Sequence, residues 1–139
     1  MTESLSHLPN DFLSEQAVIG CILKKNETID QALQIVKPVD FYDSRTQRIY
    51  KSILEMYSKD IKIDEISLIS QLKNENILEE LGGEAFITEI MLSSFYTPNI
   101  DQYCKSVKEK ALLRSLIQAA EEIKDNSLSQ RYDVNEIVE

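Results

Sequence analysis

Histidine occurs once in this 139-residue chain, and glycine and proline three times each. These scarcities exclude a good deal of chemistry. The one histidine, His7, stands in a polar N-terminal stretch, which rules out His-based metal sites and leaves a His-dependent triad without its base. Gly82-Gly83 is followed by Glu84 and Ala85, not by Lys and Ser or Thr. No GxxxxGK[ST] phosphate loop exists, so this segment binds no ATP. No apolar run approaches the length of a membrane span. Cations are also in short supply. Fifteen Lys and Arg against 24 Asp and Glu leave a formal charge of -9, which argues against independent binding to a phosphate backbone. Any nucleic-acid role then belongs to a partner or to another part of a longer protein. The two cysteines, Cys21 and Cys104, fall on apolar helix faces with no signal peptide ahead of them. Buried, reduced thiols and a cytoplasmic location are expected.

What is present is ordinary for one soluble domain: 42% apolar and 28% charged residues. Residues 1–10 read as a mobile arm. Asp11 can cap a helix through Leu23, with Phe12, Ala17, Val18, Cys21 and Ile22 on its apolar face and Gly20 marking a close crossing. Glu27–Val36 forms a short helix with Ile29, Ala32, Leu33 and Val36 at helical spacing, ended by Pro38. Ser44-Arg-Thr-Gln47 resembles a capping box opening a third helix to about Tyr57, with Ile49, Tyr50, Ile53, Leu54 and Tyr57 inward. Asp64 caps a fourth, carrying Ile66, Leu68, Ile69 and Leu72. Ile77–Leu81 is a further turn or two stopped by Gly82-Gly83, one of which can take the left-handed conformation. A helix from about Glu84 to Ser94 follows, with Phe86, Ile87, Ile90 and Met91 as its apolar set. No stretch alternates with a two-residue period. The fold class is all-α, a globular head ending near residue 98.

From Asn99 to Asn126 there is no proline or glycine, and the composition favours one long helix. At roughly 100° per residue its apolar face changes sides midway. Ile100, Tyr103, Cys104, Val107 and Ala111 form one stripe. Leu112, Leu113, Leu116, Ile117, Ala119, Ala120 and Ile123 face the other way, and Arg114, Gln118, Glu121 and Glu122 take over the first line. The first half is expected to pack on the head. The second projects, to be covered by something else. Residues 125–130 read as a turn, and Asp133 with Glu136 as a capping box opening a further helix. About two turns are too few for an independent helix. The expectation is a fragment of a longer protein, with 99–139 a helical hairpin whose second arm is cut short; a frayed tail is the plainer reading.

No catalytic constellation assembles from these residues. Glu79/Glu80 and Glu121/Glu122 could be drawn as acid/base dyads, but neighbours on a helix point about 100° apart and read as solvated charges. Phe95 and Tyr96, in a loop before Pro98, are either a recognition spot or partly core. The residues alone describe an acidic helical interaction module.

The motif order adds a resemblance over residues 8 to 139. Pro9 with Glu15-Gln16-Ala17-Val18-Ile19-Gly20 is followed by Asp40-Phe41-Tyr42, Ile49-Tyr50 and Ile63-Asp64. Then come Leu81-Gly82-Gly83-Glu84-Ala85-Phe86-Ile87, Asn99-Ile100-Asp101-Gln102-Tyr103 and Leu112-Leu113-Arg114. This series resembles the N-terminal domain of the bacterial replicative DNA helicases, the DnaB family. The chain departs from the family pattern at Asp11 (usually serine), Leu13 (commonly glutamate), Thr46 (frequently histidine) and Phe95 (usually proline).

The resemblance implies a six-helix head followed by a helical hairpin, non-catalytic in itself. Hairpins would pair two subunits, three such dimers forming a collar on a hexameric ring that docks primase, with a helicase loader as a further candidate partner. ATP, Mg2+ and DNA would be handled by a C-terminal RecA-like domain. Leu113, Leu116, Ile117, Ala120 and Ile123 are the expected hairpin or subunit contacts; Phe86, Phe95 and Tyr96 are candidates for facing primase. Two alternatives stand beside this reading: the helicase-binding domain of primase, which has a similar helical fold, and a small metal-free enzyme.

Overall fold

In a computed structural model the described residues are 8–93, 99–129, 133 and 135, and all their regular structure is helical. Among the described residues six α-helices are delimited, in order: α1 (Phe12–Lys24), α2 (Thr28–Ile35), α3 (Ser44–Ser58), α4 (Glu65–Asn74), α5 (Gly83–Ser93) and α6 (Ile100–Ser129). Single 3-10 turns stand at Pro38–Asp40 and Glu79–Leu81.

The starts of these helices follow from capping chemistry. Asp11 caps α1, accepting from the Ser14 N–H at 3.0 Å. Asp64 and Ser67 exchange bonds in a capping box at the head of α4. At α3 the cap lies one residue earlier than Ser44: Asp43 accepts from the Arg45 N–H at 2.8 Å, and Ser44 is already helical. The short helix expected over 77–81 is the 3-10 turn at Glu79–Leu81. It closes on Gly82, whose φ of +101° places it in the left-handed region. A Cβ at Gly82 would lie 2.9 Å from the Phe86 Cβ, so both backbone and space demand glycine there.

The core is one continuous cluster. α1 lies at its centre and packs on α2, α3, α5 and α6. Val18, Ile19, Ile22, Ile49, Tyr50, Ile53, Leu68, Leu72, Ile87, Ile90 and Cys104 are wholly buried or nearly so. Burying each such side chain contributes about 1.5–3 kcal/mol. Three residues expected inward are not: Leu33, Tyr57 and Ile66 are exposed. Tyr57 spends its hydroxyl on Asp30 at the surface instead. Met56 takes the buried place on α3.

A buried carboxylate joins the first third of the chain. Glu15 on α1 is 1% exposed, and no cation pairs with it among the described residues. It accepts from the Tyr42 N–H at 2.9 Å, the Asp43 N–H at 3.2 Å and the Thr46 hydroxyl at 2.6 Å. Those donors lie in the loop that turns the chain into α3. Thr46 thus acts as a short donor inside the core.

Two outcomes follow for stability. Glu15→Ala leaves the Tyr42 and Asp43 amides without their acceptor and the Thr46 hydroxyl with only the Asp43 carbonyl, and is expected to cost about 2–3 kcal/mol. A denaturant titration showing a loss below about 1 kcal/mol would contradict this assignment. The second concerns acid. At Asp43, burial pulls the carboxyl upward, but bonds from Arg45 and Thr46 outweigh it and leave it below the ordinary 3.8. At Asp64 the Ser67 N–H lowers it directly. A pKa depressed by folding contributes stability that is complete above the unfolded value and lost as pH falls through the folded one. Stability should therefore be insensitive to these groups above about pH 5 and drop below pH 4. Asp64→Asn should flatten that drop; an unchanged acid limb would refute the attribution.

Candidate docking surface

α6 is a 30-residue helix with two different environments. In its first half Ile100, Cys104 and Val107 are buried against the head, with Tyr103 and Ala111 half-buried beside them. The two cysteines are buried and form no disulfide. Burial, with Asp101 and Cys21 nearby, pushes the Cys104 thiol up to about 12, so it stays protonated and unreactive at neutral pH.

From Ser106 onward polar attachments appear. Ser106 donates to the Asp11 carboxylate at 2.6 Å. Burial raises the Asp11 carboxyl, yet this bond and those from Ser14 leave it below its ordinary value. The Lys108 ammonium lies 3.3 Å from the buried Asp40 carboxylate. Arg114 makes the last contact. Its guanidinium donates to the carbonyls of Pro9 at 2.8 Å and Asp40 at 2.7 Å, and lies 5.1 Å from the centre of the Tyr42 ring. Leu8, Pro9 and Asn10, expected to be mobile, therefore lie against α6. Sequence reading placed Arg114 on the head-facing line but found neither its acceptors nor this stretch.

From Leu112 on, the side of the helix turned away from the head is open. Leu113 is 38% exposed, Leu116 67%, Ile117 36% and Ile123 51%, with Ala120 exposed among them. All five expected contact residues share this open segment. The expected turn at 125–130 does not form as such, since α6 continues through Ser129. Asn, Ser and Asp there are weak helix formers but not breakers. The extension adds the exposed Leu128 to the apolar set. Glu136 of the expected capping box lies outside the described residues. Where the helix leaves the head, Leu8, Tyr42, Arg114, Ile117, Gln118 and Glu121 line a recess.

The other candidate residues lie elsewhere. Phe86 is 4% exposed, parallel to the Phe12 ring at 6.4 Å and covered by the Arg45 guanidinium at 4.2 Å. Its side chain shapes the surface from beneath. Phe95 and Tyr96 are outside the described residues. Glu79, Glu80, Glu121 and Glu122 are exposed, and Glu80 pairs with Arg48 at 3.0 Å. Among the described residues no cluster of His, Cys, Asp and Glu is arranged to hold a metal, and no helix is long and apolar enough to cross a membrane.

This arrangement has close counterparts. The sequence profile of the DnaB-like helicase N terminal domain matches residues 7–109. The replicative DNA helicase DnaC of Bacillus subtilis is 32% identical over 130 residues, which cover 94% of this chain and 29% of that protein. The replicative DNA helicase DnaB of Haemophilus influenzae is also 32% identical over 130 residues, covering 94% and 28%. The chain thus spans under a third of these relatives' length. The crystal structure of the N-terminal domain of DnaB helicase from Mycobacterium tuberculosis superposes with a TM-score of 0.89 at 28% identity, over 95% of this chain and 93% of that one. A DnaB-like replicative helicase, solved in a study of its interactions with primase, matches with a TM-score of 0.72 at 28% identity, over 84% and 27%. With its all-helical head, its half-buried long helix and this match over most of its length, the chain belongs to the DnaB-like helicase N-terminal domain family.

Proposed function

We propose that this chain is the assembly and partner-docking domain of a replicative DNA helicase, working through packing and not through catalysis. The observation that carries the reading is the open apolar segment of α6. Leu113, Leu116, Ile117, Ala120 and Ile123 stand in solvent on a helix whose other half is firmly buried. Covering the exposed remainder of such side chains is worth on the order of 5 kcal/mol. In this reading they pack on the second arm of a helical hairpin and on a neighbouring subunit, in dimers that build a hexameric collar. Primase is the second partner, supported by family membership and by the related helicase described with primase. Phe95 and Tyr96 are its candidate contacts, with Phe86 supporting the surface from within, and a helicase loader is a further candidate partner. ATP, Mg2+ and DNA would be engaged by a RecA-like domain of the whole helicase in the cytoplasm. The family match over residues 7–109 favours helicase over the primase-domain reading.

Sedimentation of the chain, alone and with a primase C-terminal domain, tests this. Self-association or primase binding is expected, and Ile117→Asp should abolish self-association while leaving helical content intact, because it buries an unpaired charge only in the assembly. A strict monomer without primase binding at high concentration, or an unchanged profile for Ile117→Asp, would sink the proposal.

A further inference from the structure

Val107 is the last fully buried residue of α6, and Arg114 makes the last hydrogen bonds to the head among the described residues. Over the two turns between them charged side chains reach the head, and two of these end on one residue. Asp40 receives Lys108 through its carboxylate and Arg114 through its carbonyl. Its own carboxylate is held in place by the Lys37 N–H at 2.8 Å. Arg114 also grips Pro9 and lies over Tyr42, so one guanidinium ties two separate pieces of the head, the stretch at Pro9 and the loop from Asp40 to Tyr42, to the helix. A planar fork with several fixed donors suits this task, and a lysine would reach only one acceptor at a time.

We propose that Arg114 is the positioning residue of the docking surface: its clasp on Pro9, Asp40 and Tyr42 fixes the direction in which the outer half of α6 leaves the head. The inference rests on the docking reading above and adds what aims that surface. Leverage makes the clasp matter. From Arg114 to Ser129 the helix extends about 22 Å at 1.5 Å per residue. A tilt of about 20° at Arg114 would carry the tip roughly 8 Å, comparable with the whole spacing between packed helices. A partner that packs along the apolar segment while sitting near the head can accept one direction of the helix and few others. Arg114 stands in the wall of the recess that Leu8, Tyr42 and Ile117 also line.

Spin labels at Glu55→Cys on α3 and Lys124→Cys on α6, both exposed positions, report this direction by pulsed dipolar spectroscopy. Labelled chain is diluted in unlabelled chain, and the buried Cys21 and Cys104 stay unlabelled in the folded protein. One narrow distance distribution is expected for the native protein. Arg114→Ala should at least double its width with helical content unchanged, and Arg114→Lys should fall between. Self-association of Arg114→Ala, read by sedimentation, should weaken about tenfold. An unchanged width in Arg114→Ala overturns the proposal. So does a broadened distribution with undiminished association, provided Ile117→Asp still abolishes association. If Ile117→Asp has no effect either, the docking reading fails while the joint at Arg114 stands. Should Arg114→Ala fail to fold, Arg114→Lys carries the same test, and a native width there counts against the assignment.

Discussion

The loop from Asp40 to Asp43 is the constraint on which the rest of this molecule depends. From below, the Glu15 carboxylate gathers the Tyr42 and Asp43 amides and the Thr46 hydroxyl. From above, Lys108 and Arg114 reach the same loop from the long helix. α1, α3 and α6 therefore share one short piece of backbone as their meeting point. A buried carboxylate without a cation is tolerable there because three donors replace its lost water.

That loop also divides the labour of α6. Inside Val107 the helix is a core element, held by apolar burial that water cannot readily undo. Between Lys108 and Arg114 it is held by directional polar bonds. Outside Arg114 no hydrogen bond among the described residues ties it to the head, and only the recess with Leu8 and Tyr42 adjoins it. The sequence of environments along one helix, dry, then polar, then open, is what allows a single element to be both part of a domain and an offer to another chain. Helix propensity sustains the open half; association is what would reward it.

Much of this was legible beforehand, for identifiable reasons. The caps at Asp11 and Asp64 are local chemistry, and the change of apolar face near Ala111 is a matter of counting residues around an axis. Both need no knowledge of the fold. The cap at Asp43 was misplaced by one residue because Asp43 and Ser44 can each cap, and the choice is settled by Glu15 holding the Asp43 amide. The 3-10 turn at Pro38–Asp40 went unread, since a proline that ends one helix gives no sign of starting a tighter one. Glu15 showed only as part of a motif. Its partners lie 27 to 31 positions away, and no periodicity reports a bond of that span. The same holds for Leu8–Asn10, tied down by an arginine more than a hundred positions later.

Arg114 takes main-chain oxygens, not side chains, as its two hydrogen-bond acceptors. Every residue type supplies such an oxygen, so drift at positions 9 and 40 leaves those acceptors in place as long as the backbone keeps its path. In the proposed clasp the donors are written at one codon and two of the three contacts are generic, the Tyr42 ring being the exception. A lineage could replace most of the side chains around this seam and keep the geometry, yet lose it by a single change at 114.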